Sequence, residues 1–114
     1  MPTVSVIIPA YNQGQYLSDA VQSVLRQTYA DLEILVVDDG STDNTRNVAL
    51  AFNDARVRYV FQENRGLSAA RNTGIRLARG SFLTYLDSDD RFLPAKLSLL
   101  LAAFEKTPAL GFVA

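Results

Sequence analysis

The sequence has 114 residues, of which 48% are hydrophobic and 20% are charged, and its formal net charge is −1. This size and balance are typical of one globular domain and give no bulk electrostatic reason to expect a nucleic-acid partner. Because the chain contains neither cysteine nor histidine, disulfides, thiolate nucleophiles, cysteine/histidine zinc sites and imidazole bases are excluded. Acid–base chemistry is left to aspartate and glutamate.

The first half of the chain predicts two buried strands, each followed by a helix. Both strands are nearly continuous apolar runs rich in β-branched residues, as expected of strands covered on both faces. Apolar residues at helical spacing follow the first strand, and Ser41 or Thr42 is predicted to cap the helix after the second. In chain order the elements are a strand at 4–8 ended by residues 9–12, a helix through 17–25, a strand at 32–37 and a helix including Val48 and Phe52.

The second half repeats the alternation. A third strand at 57–61, expected near an edge of the sheet, leads to a helix at 67–78 that Gly80 is predicted to end. A fourth strand at 82–86 precedes a helix that begins near Pro94 and has an apolar stripe of Leu97, Leu100, Leu101 and Phe104. Pro108 is predicted to end this helix, and a further strand is predicted from Leu110 to Ala114. This order predicts one domain over residues 1–114 with a three-layer α/β/α fold and a mostly parallel central sheet.

No apolar run approaches the roughly 20 residues of a membrane helix, and Met1–Thr3 leads into a strand without a signal peptide. A cytoplasmic location is therefore expected, with membrane association of a full-length protein left open.

An acidic cluster follows the fourth strand. Asp87, Asp89 and Asp90 lie within four residues, and crowded carboxylates repel one another unless a cation or arginines balance them. Asp87 and Asp89 would leave the same face if the strand geometry persisted, and hard carboxylate oxygens suit Mg²⁺ or Mn²⁺. The alternative is that Ser88, Asp89 or Asp90 caps the next helix, which accounts for one acidic residue better than for three.

Polar residues also end the first and second strands, as Tyr11-Asn12 and Asp38-Asp39. Ligands of open parallel sheets bind beyond the carboxyl ends of the strands, where the strand order reverses. If the first strand lies between the second and the fourth, these polar groups and the acidic cluster surround one cleft.

Arg71 lies within the apolar stripe of the helix at 67–78, whose predicted inward positions are Leu67, Ala70, Gly74, Leu77 and Ala78. An unpaired buried charge is costly, so we expect Arg71 to reach a strand-end carboxylate or an anionic ligand. The alternative is that its side chain extends from the stripe edge into solvent.

Taken together, these motifs resemble the nucleotide-binding half of an inverting family-two glycosyltransferase with the GT-A fold. The matching segments run through the chain in the family's order: VSVIIPAYN at 4–12, YLSDAVQSVLRQT at 16–28, EILVVDDGSTD at 33–43, NRGLSAARNTG at 64–74 and LDSDD at 86–90. The P-loop and the glycine-rich dinucleotide fingerprint are absent, and the first strand does not end as a phosphoacceptor receiver domain requires.

The resemblance implies a role for each matching residue. Pro9, Ala10 and Tyr11 would line the base, Asp38 would contact it with Asp39 as the second choice, and Arg71 would reach the base or the phosphates. Ser88 belongs to the same binding segment, in which Asp87 would lie near the ribose. Asp89, with Asp87, would hold a Mn²⁺ or Mg²⁺ ion that bridges the diphosphate.

The resemblance also implies a nucleotide-diphosphate sugar donor, with UDP favoured, and a saccharide or lipid-linked acceptor. In the family the catalytic base and acceptor-binding strands lie well downstream of the Asp-x-Asp motif. The base is therefore expected downstream of Ala114 and is assigned to no residue of this sequence, while Asp90 takes a capping or supporting role.

We accordingly expect an N-terminal fragment of a longer protein. A homodimer is possible through an exposed edge near Phe112 and Val113. A nucleotide- and metal-binding module without turnover is the alternative function.

Overall fold

The computed structural model describes residues 2–106, with side chains described through residue 103. Four strands alternate with four helices over this range, as predicted. The elements are β1 (Val4–Ala10), α1 (Gly14–Leu25), β2 (Leu32–Asp39), α2 (Thr45–Leu50), β3 (Val57–Gln62), α3 (Leu67–Leu77), β4 (Phe82–Tyr85) and α4 (Lys96–Lys106).

The strands form one parallel sheet in the order β3-β2-β1-β4. β1 therefore lies between β2 and β4, and β3 is an edge strand, so both predictions of strand position are confirmed. The register pairs Ala10 with Asp38 and Ile7 with Tyr85. The carboxyl ends of β1, β2 and β4 consequently meet at one edge of the sheet, where the polar residues predicted from the sequence follow them.

The two faces of the sheet carry separate apolar clusters, which confirms the three-layer arrangement. On one face, Val6 and Ile8 of β1 pack with residues of α1, α2 and α4. On the opposite face, Ile7 of β1 packs with Leu35 and Val37 of β2 and with Ala70 of α3. A Cβ atom at Gly74 would overlap Ile7 Cγ2. The absence of a side chain at Gly74 thus lets α3 lie directly on β1, and this contact fixes the helix that carries Arg71.

Several predicted boundaries were wrong. β1 and β2 continue two residues further than expected, to Ala10 and Asp39, because the β1–β2 ladder extends to the pair Ala10 and Asp38 and the β2–β3 ladder to the pair Asp39 and Gln62. α3 ends at Leu77, and Gly80 is instead a close-approach position, since a Cβ there would lie 2.7 Å from the backbone nitrogen of Ser5.

Two predicted helix caps were also wrong. α2 begins at Thr45 and ends before Phe52, and the Asp43 carboxylate rather than Ser41 or Thr42 accepts the Thr45 N–H at 2.9 Å. α4 begins at Lys96, too far along the chain for Asp90 to cap it.

The predictions for the end of the chain lie outside the described residues. They are the closing role of Pro108, the strand from Leu110 to Ala114 and the exposed edge near Phe112 and Val113. The base expected downstream of Ala114 likewise stays a prediction. Within residues 2–106, no helix has the length and apolar character needed to cross a membrane.

Candidate functional site

A cavity of about 390 Å³ opens at the carboxyl ends of the strands. The lining residues come from the end of β1 and the loop after it, the end of β2, the loop between β3 and α3, the start of α3 and the loop after β4. They are Pro9, Ala10, Tyr11, Gln13, Asp39, Asn64, Gly66, Leu67, Ala70, Asp87, Ser88 and Asp89. Of the site residues predicted from the sequence, only Asp38 and Arg71 are missing from this lining.

Asp38 and Asp39 are neighbours in β2 but occupy different environments, because successive side chains of a strand point to opposite faces. Asp38 is only 1% exposed and accepts hydrogen bonds from the Ser41 N–H at 2.9 Å and the Tyr59 hydroxyl at 2.6 Å. These hydrogen bonds connect Asp38 to the loop after β2 and to β3. The structure places Asp39, and not Asp38, in the lining of the cavity, and a contact of either carboxylate with a base stays a prediction.

The Asp39 carboxylate is held by three donors. Its Oδ1 accepts from the Gln62 amide at 2.9 Å and the Arg65 N–H at 2.8 Å, and its Oδ2 accepts from the Gly66 N–H at 2.9 Å. Burial raises the pKa of Asp39, but these hydrogen bonds and the charge of Arg65 outweigh burial and leave the pKa below its ordinary value. Asp39 therefore faces the cavity as a fixed anion that can only accept hydrogen bonds.

Arg71 stands beside the cavity rather than in its lining. Its Nη2 lies 3.7 Å from Asp87 Oδ1, and its guanidinium carbon lies 5.1 Å from the centroid of the Tyr85 ring. Its Nε is buried and, among the described residues, has no hydrogen-bond partner. The prediction that Arg71 reaches a strand-end carboxylate is confirmed, and that carboxylate is Asp87.

The predicted inward face of α3 was partly wrong. Leu67 is 52% exposed and lines the cavity, whereas Thr73 is buried and donates its hydroxyl hydrogen to Gln62 Oε1 at 2.6 Å. The helix turns its first residue toward the opening because its N-terminus is fixed by the contact between Gly66 and Asp39.

The acidic cluster lies at the mouth of the cavity. Asp87, Ser88 and Asp89 line the opening. The side chain of Asp87 is 60% exposed, Asp89 is also exposed, and Ser88 between them is buried. Asp90 instead closes a turn, donating its N–H to the Asp87 carbonyl at 2.9 Å and accepting the Arg91 N–H at 2.8 Å.

A divalent metal ion fits the chemistry of this cluster. Asp87 and Asp89 offer hard, accessible carboxylate oxygens, the donor type that Mg²⁺ and Mn²⁺ prefer. No group of three or more acidic residues that could enclose an ion occurs within residues 2–106. Asp87 and Asp89 are the residues of this cluster that would hold such an ion.

Sequence reasoning missed Gln13, Asn64, Gly66, Leu67 and Ala70 as lining residues. Gly66 has a positive φ of 99° immediately before α3, and it belongs to the matching segment at 64–74, in which it was given no role. The signal was the glycine at the entry to a helix, where free N–H groups converge.

The model of the family described as "Glycosyl transferase family 2" matches residues 5–114. The chain belongs to this family. The match spans every element that forms the cavity, which confirms the resemblance of the motifs and the GT-A type of fold.

Two relatives whose names state an activity are similar in sequence to this chain along most of its length. A chondroitin synthase of Escherichia coli is 44% identical over 99% of this chain, which spans 17% of that protein. The E. coli enzyme named UDP-Glc:alpha-D-GlcNAc-diphosphoundecaprenol beta-1,3-glucosyltransferase is 43% identical over 90% of the chain, which spans 41% of it. The chain thus spans less than half the length of each of these two relatives.

Two solved structures with bound nucleotide sugars superpose closely on this fold. TarS of Staphylococcus aureus (residues 1–349), in complex with UDP-GlcNAc, has a TM-score of 0.85 and 29% identity over 91% of this chain, which covers 31% of that 1–349 chain. The mannosyltransferase PcManGT of Pyrobaculum calidifontis, in complex with GDP-Man and Mn²⁺, has a TM-score of 0.73 and 31% identity over 90% of the chain, or 31% of that enzyme.

Proposed function

We propose that the cavity binds the nucleoside diphosphate of a sugar donor, and that the protein containing this chain transfers the sugar to an acceptor hydroxyl. The observation that carries the proposal is the placement of Tyr11, Asp39 and the Asp87–Asp89 segment around one opening. An aromatic ring, a fixed anionic acceptor and a pair of accessible carboxylates suit a base, its polar edge and a metal-bound diphosphate respectively. The complexes of TarS with UDP-GlcNAc and of PcManGT with GDP-Man support this choice of ligand.

The hydrogen bonds of Asp39 favour uracil as the base. A carboxylate oxygen accepts about two hydrogen bonds; Oδ1 already accepts two, whereas Oδ2 accepts only that of Gly66. One acceptor position therefore remains, which matches the single imino N–H of uracil or thymine better than the paired donors of guanine. The half-exposed ring of Tyr11 offers a face on which the base would stack.

Asp89 and Asp87 would hold the Mn²⁺ or Mg²⁺ ion, with Asp87 also near the ribose. When bound, such an ion neutralises the charge that develops on a departing diphosphate. The chain's own part is to position the ligand. Ser88 lies between the two carboxylates, and the Arg71 guanidinium beside Asp87 supplies positive charge near the phosphates.

The acceptor would be a saccharide or a lipid-linked saccharide, in keeping with the names of the two E. coli relatives. The base that takes the proton of the acceptor hydroxyl is assigned to no described residue and is still expected downstream of Ala114. Asp87 and Asp89 would be poor bases with a metal ion beside them, since the cation lowers the pKa of a carboxylate. The alternative is a module that binds a nucleotide and a metal ion without turnover.

Calorimetric titration of the 114-residue chain with UDP, GDP and dTDP, each with and without Mn²⁺, tests the proposal. We expect UDP to bind most tightly and Mn²⁺ to strengthen its binding. If none of the three nucleotides binds in a metal-dependent manner, the proposal is wrong. Release of UDP from UDP-GlcNAc in the presence of saccharide acceptors would distinguish a transferase from the binding module.

A further inference from the structure

The loops after β1 (residues 11–13) and after β2 (residues 40–44) are joined by hydrogen bonds that the proposed nucleotide contacts do not use. The Asn12 N–H donates to Ser41 Oγ at 2.9 Å. In return, Asn12 Oδ1 accepts the backbone N–H of Thr42 at 2.8 Å and that of Asp43 at 3.3 Å. One asparagine thus ties its own loop to the next through both its backbone and its side chain.

Asp43 accepts further hydrogen bonds at the junction of the two loops. Its Oδ2 accepts the N–H of Gly14 at 3.0 Å, and its Oδ1 accepts both the N–H (2.9 Å) and the hydroxyl of Thr45. Gly14 and Thr45 are the first residues of α1 and α2, so one carboxylate satisfies free N–H groups at both helix starts. Burial raises the pKa of Asp43, but these hydrogen bonds outweigh it and leave the pKa below its ordinary value.

The backbone of both loops is adapted to this contact. Asn12 has a φ of 53°, in the left-handed region that asparagine tolerates better than most residues. A Cβ atom at Gly14 would overlap the side chain of Asn44, so the two loops approach as closely as they do only with glycine there. We call this set of hydrogen bonds between the two loops the Asn12–Asp43 clasp. It depends on the residue types at several positions.

We propose that Asn12 is a positioning residue for nucleotide binding: through the Asn12–Asp43 clasp it fixes the loop that carries Tyr11 at the cavity. The proposal rests on the nucleotide-binding function proposed above. Tyr11 is 49% exposed, and its side chain forms no hydrogen bond to any described residue. Its placement thus depends on the backbone of its loop, and Asn12 is the next residue. Free movement of the ring would have to be restricted on binding, which costs affinity.

Three variants separate the parts of this inference. Asn12→Gly keeps the left-handed backbone accessible and removes the amide oxygen, and it should weaken UDP binding about tenfold. Asn12→Asp keeps an acceptor oxygen, and it should bind UDP within about threefold of the unaltered chain, since it adds only a screened repulsion from Asp43. Asn53→Gly, at an exposed loop asparagine between α2 and β3, is the matched control and should leave binding unchanged.

A double-mutant cycle with Tyr11→Ala tests whether Asn12 acts through Tyr11. If it does, Asn12→Gly should cause no further loss of UDP affinity in the Tyr11→Ala background. Additive losses would overturn the proposal, and so would unchanged UDP binding by Asn12→Gly alone. If Asn12→Gly does not fold, Asp43→Asn serves in the same cycle with the same expected outcome.

Hydrogen exchange separates a failure of this inference from a failure of the proposed function. The clasp predicts that Asn12→Gly accelerates exchange of the Thr42 amide about tenfold while the amides of β1 are unaffected. If the unaltered chain does not bind UDP, the proposed function and the positioning role both fall, and exchange at Thr42 still tests the clasp itself. If the unaltered chain binds UDP and Asn12→Gly binds equally well, only the positioning role is overturned.

Discussion

The guanidinium of Arg71 lies 3.7 Å from the carboxylate of Asp87, so helix α3 and the loop after β4 meet at the mouth of the cavity. α3 is held on β1 by the contact between Gly74 and Ile7. The loop after β4 follows a strand that pairs directly with β1. This ion pair brings a positive charge next to the carboxylates that we propose to bind a metal ion.

Replacing Arg71 should weaken nucleotide binding more than it weakens the fold. Arg71→Ala removes the charge proposed to lie near the diphosphate, and we expect the dissociation constant for UDP to rise about tenfold or more. Arg71→Lys should recover only part of the loss, because an ammonium cannot reproduce a planar guanidinium over the Tyr85 ring. Arg76→Ala, at an exposed position of the same helix, is the control. A lower melting temperature with unchanged UDP affinity would make Arg71 structural.

Asp89 should determine the metal dependence of binding. Asp89→Asn retains the shape of the side chain but loses the charge that binds a hard cation. We therefore expect UDP affinity to become nearly the same with and without Mn²⁺, and the melting temperature to change little because Asp89 is exposed. Asp19→Asn, an exposed substitution on α1, should keep the full Mn²⁺ effect. A Mn²⁺ effect that survives Asp89→Asn would exclude Asp89 as a metal ligand.

Asp39 should control recognition of the base. Asp39→Asn replaces one acceptor oxygen with an NH₂ donor. That donor cannot accept a hydrogen bond from the imino N–H of uracil or from the Arg65 and Gly66 N–H groups that now donate to Asp39. UDP affinity should fall at least about tenfold. A nucleotide whose base is methylated at the imino nitrogen should already bind the unaltered chain weakly, with little further loss in Asp39→Asn. Equal affinity of the unaltered chain for the methylated and unmethylated nucleotides would contradict the base contact.

Glu33 should make folding stability sensitive to acid. Burial raises its pKa, but hydrogen bonds from Ser5, the Arg79 N–H and Arg58, together with the charge of Arg58, lower it below the ordinary value. Because the folded pKa is depressed, this stabilisation is fully present above the ordinary glutamate pKa of about 4.3 and is lost as the pH falls toward the folded value.

Glu33→Gln should therefore lower the free energy of unfolding at pH 7 by about 1–3 kcal/mol and reduce its dependence on pH below about 4.3. Urea unfolding between about pH 7 and about pH 3 measures both effects. Glu63→Gln, at an exposed position, is the control and should leave the pH dependence intact. An unchanged acid sensitivity in Glu33→Gln would show that Glu33 is not its source.

The sequence predicted the architecture and the edge of the sheet where the site lies. The alternation of buried strands with amphipathic helices specifies a parallel sheet, and polar residues at the ends of β1, β2 and β4 mark the edge at which they converge. A partner for Arg71 could also be anticipated, since an arginine within an apolar stripe needs a counter-charge, and the structure identifies Asp87 among the strand-end carboxylates.

The choice between Asp38 and Asp39 could not be predicted in the same way. The two residues are chemically identical. Which one faces the cavity depends on the strand continuing through both, and the pairing of β2 with β1 and with β3 determines that continuation. Leu67 was misassigned for a related reason: helical periodicity gives the spacing of an apolar stripe, but the contact of Gly66 with Asp39 sets where that stripe begins. The clasp between Asn12 and Asp43 joins two loops, and no local pattern reports such a contact.

Backbone amide chemical shifts of the 114-residue chain, recorded as UDP and Mg²⁺ are added, test the central claim most directly. We predict that the largest changes occur at the amides of Tyr11, Gly66, Leu67 and Ser88, which surround the cavity, with small changes at Arg26 and Leu93 on a separate surface crevice. An absence of changes at saturating UDP, or changes concentrated around Arg26 and Leu93, would contradict the assignment of this cavity as the nucleotide site.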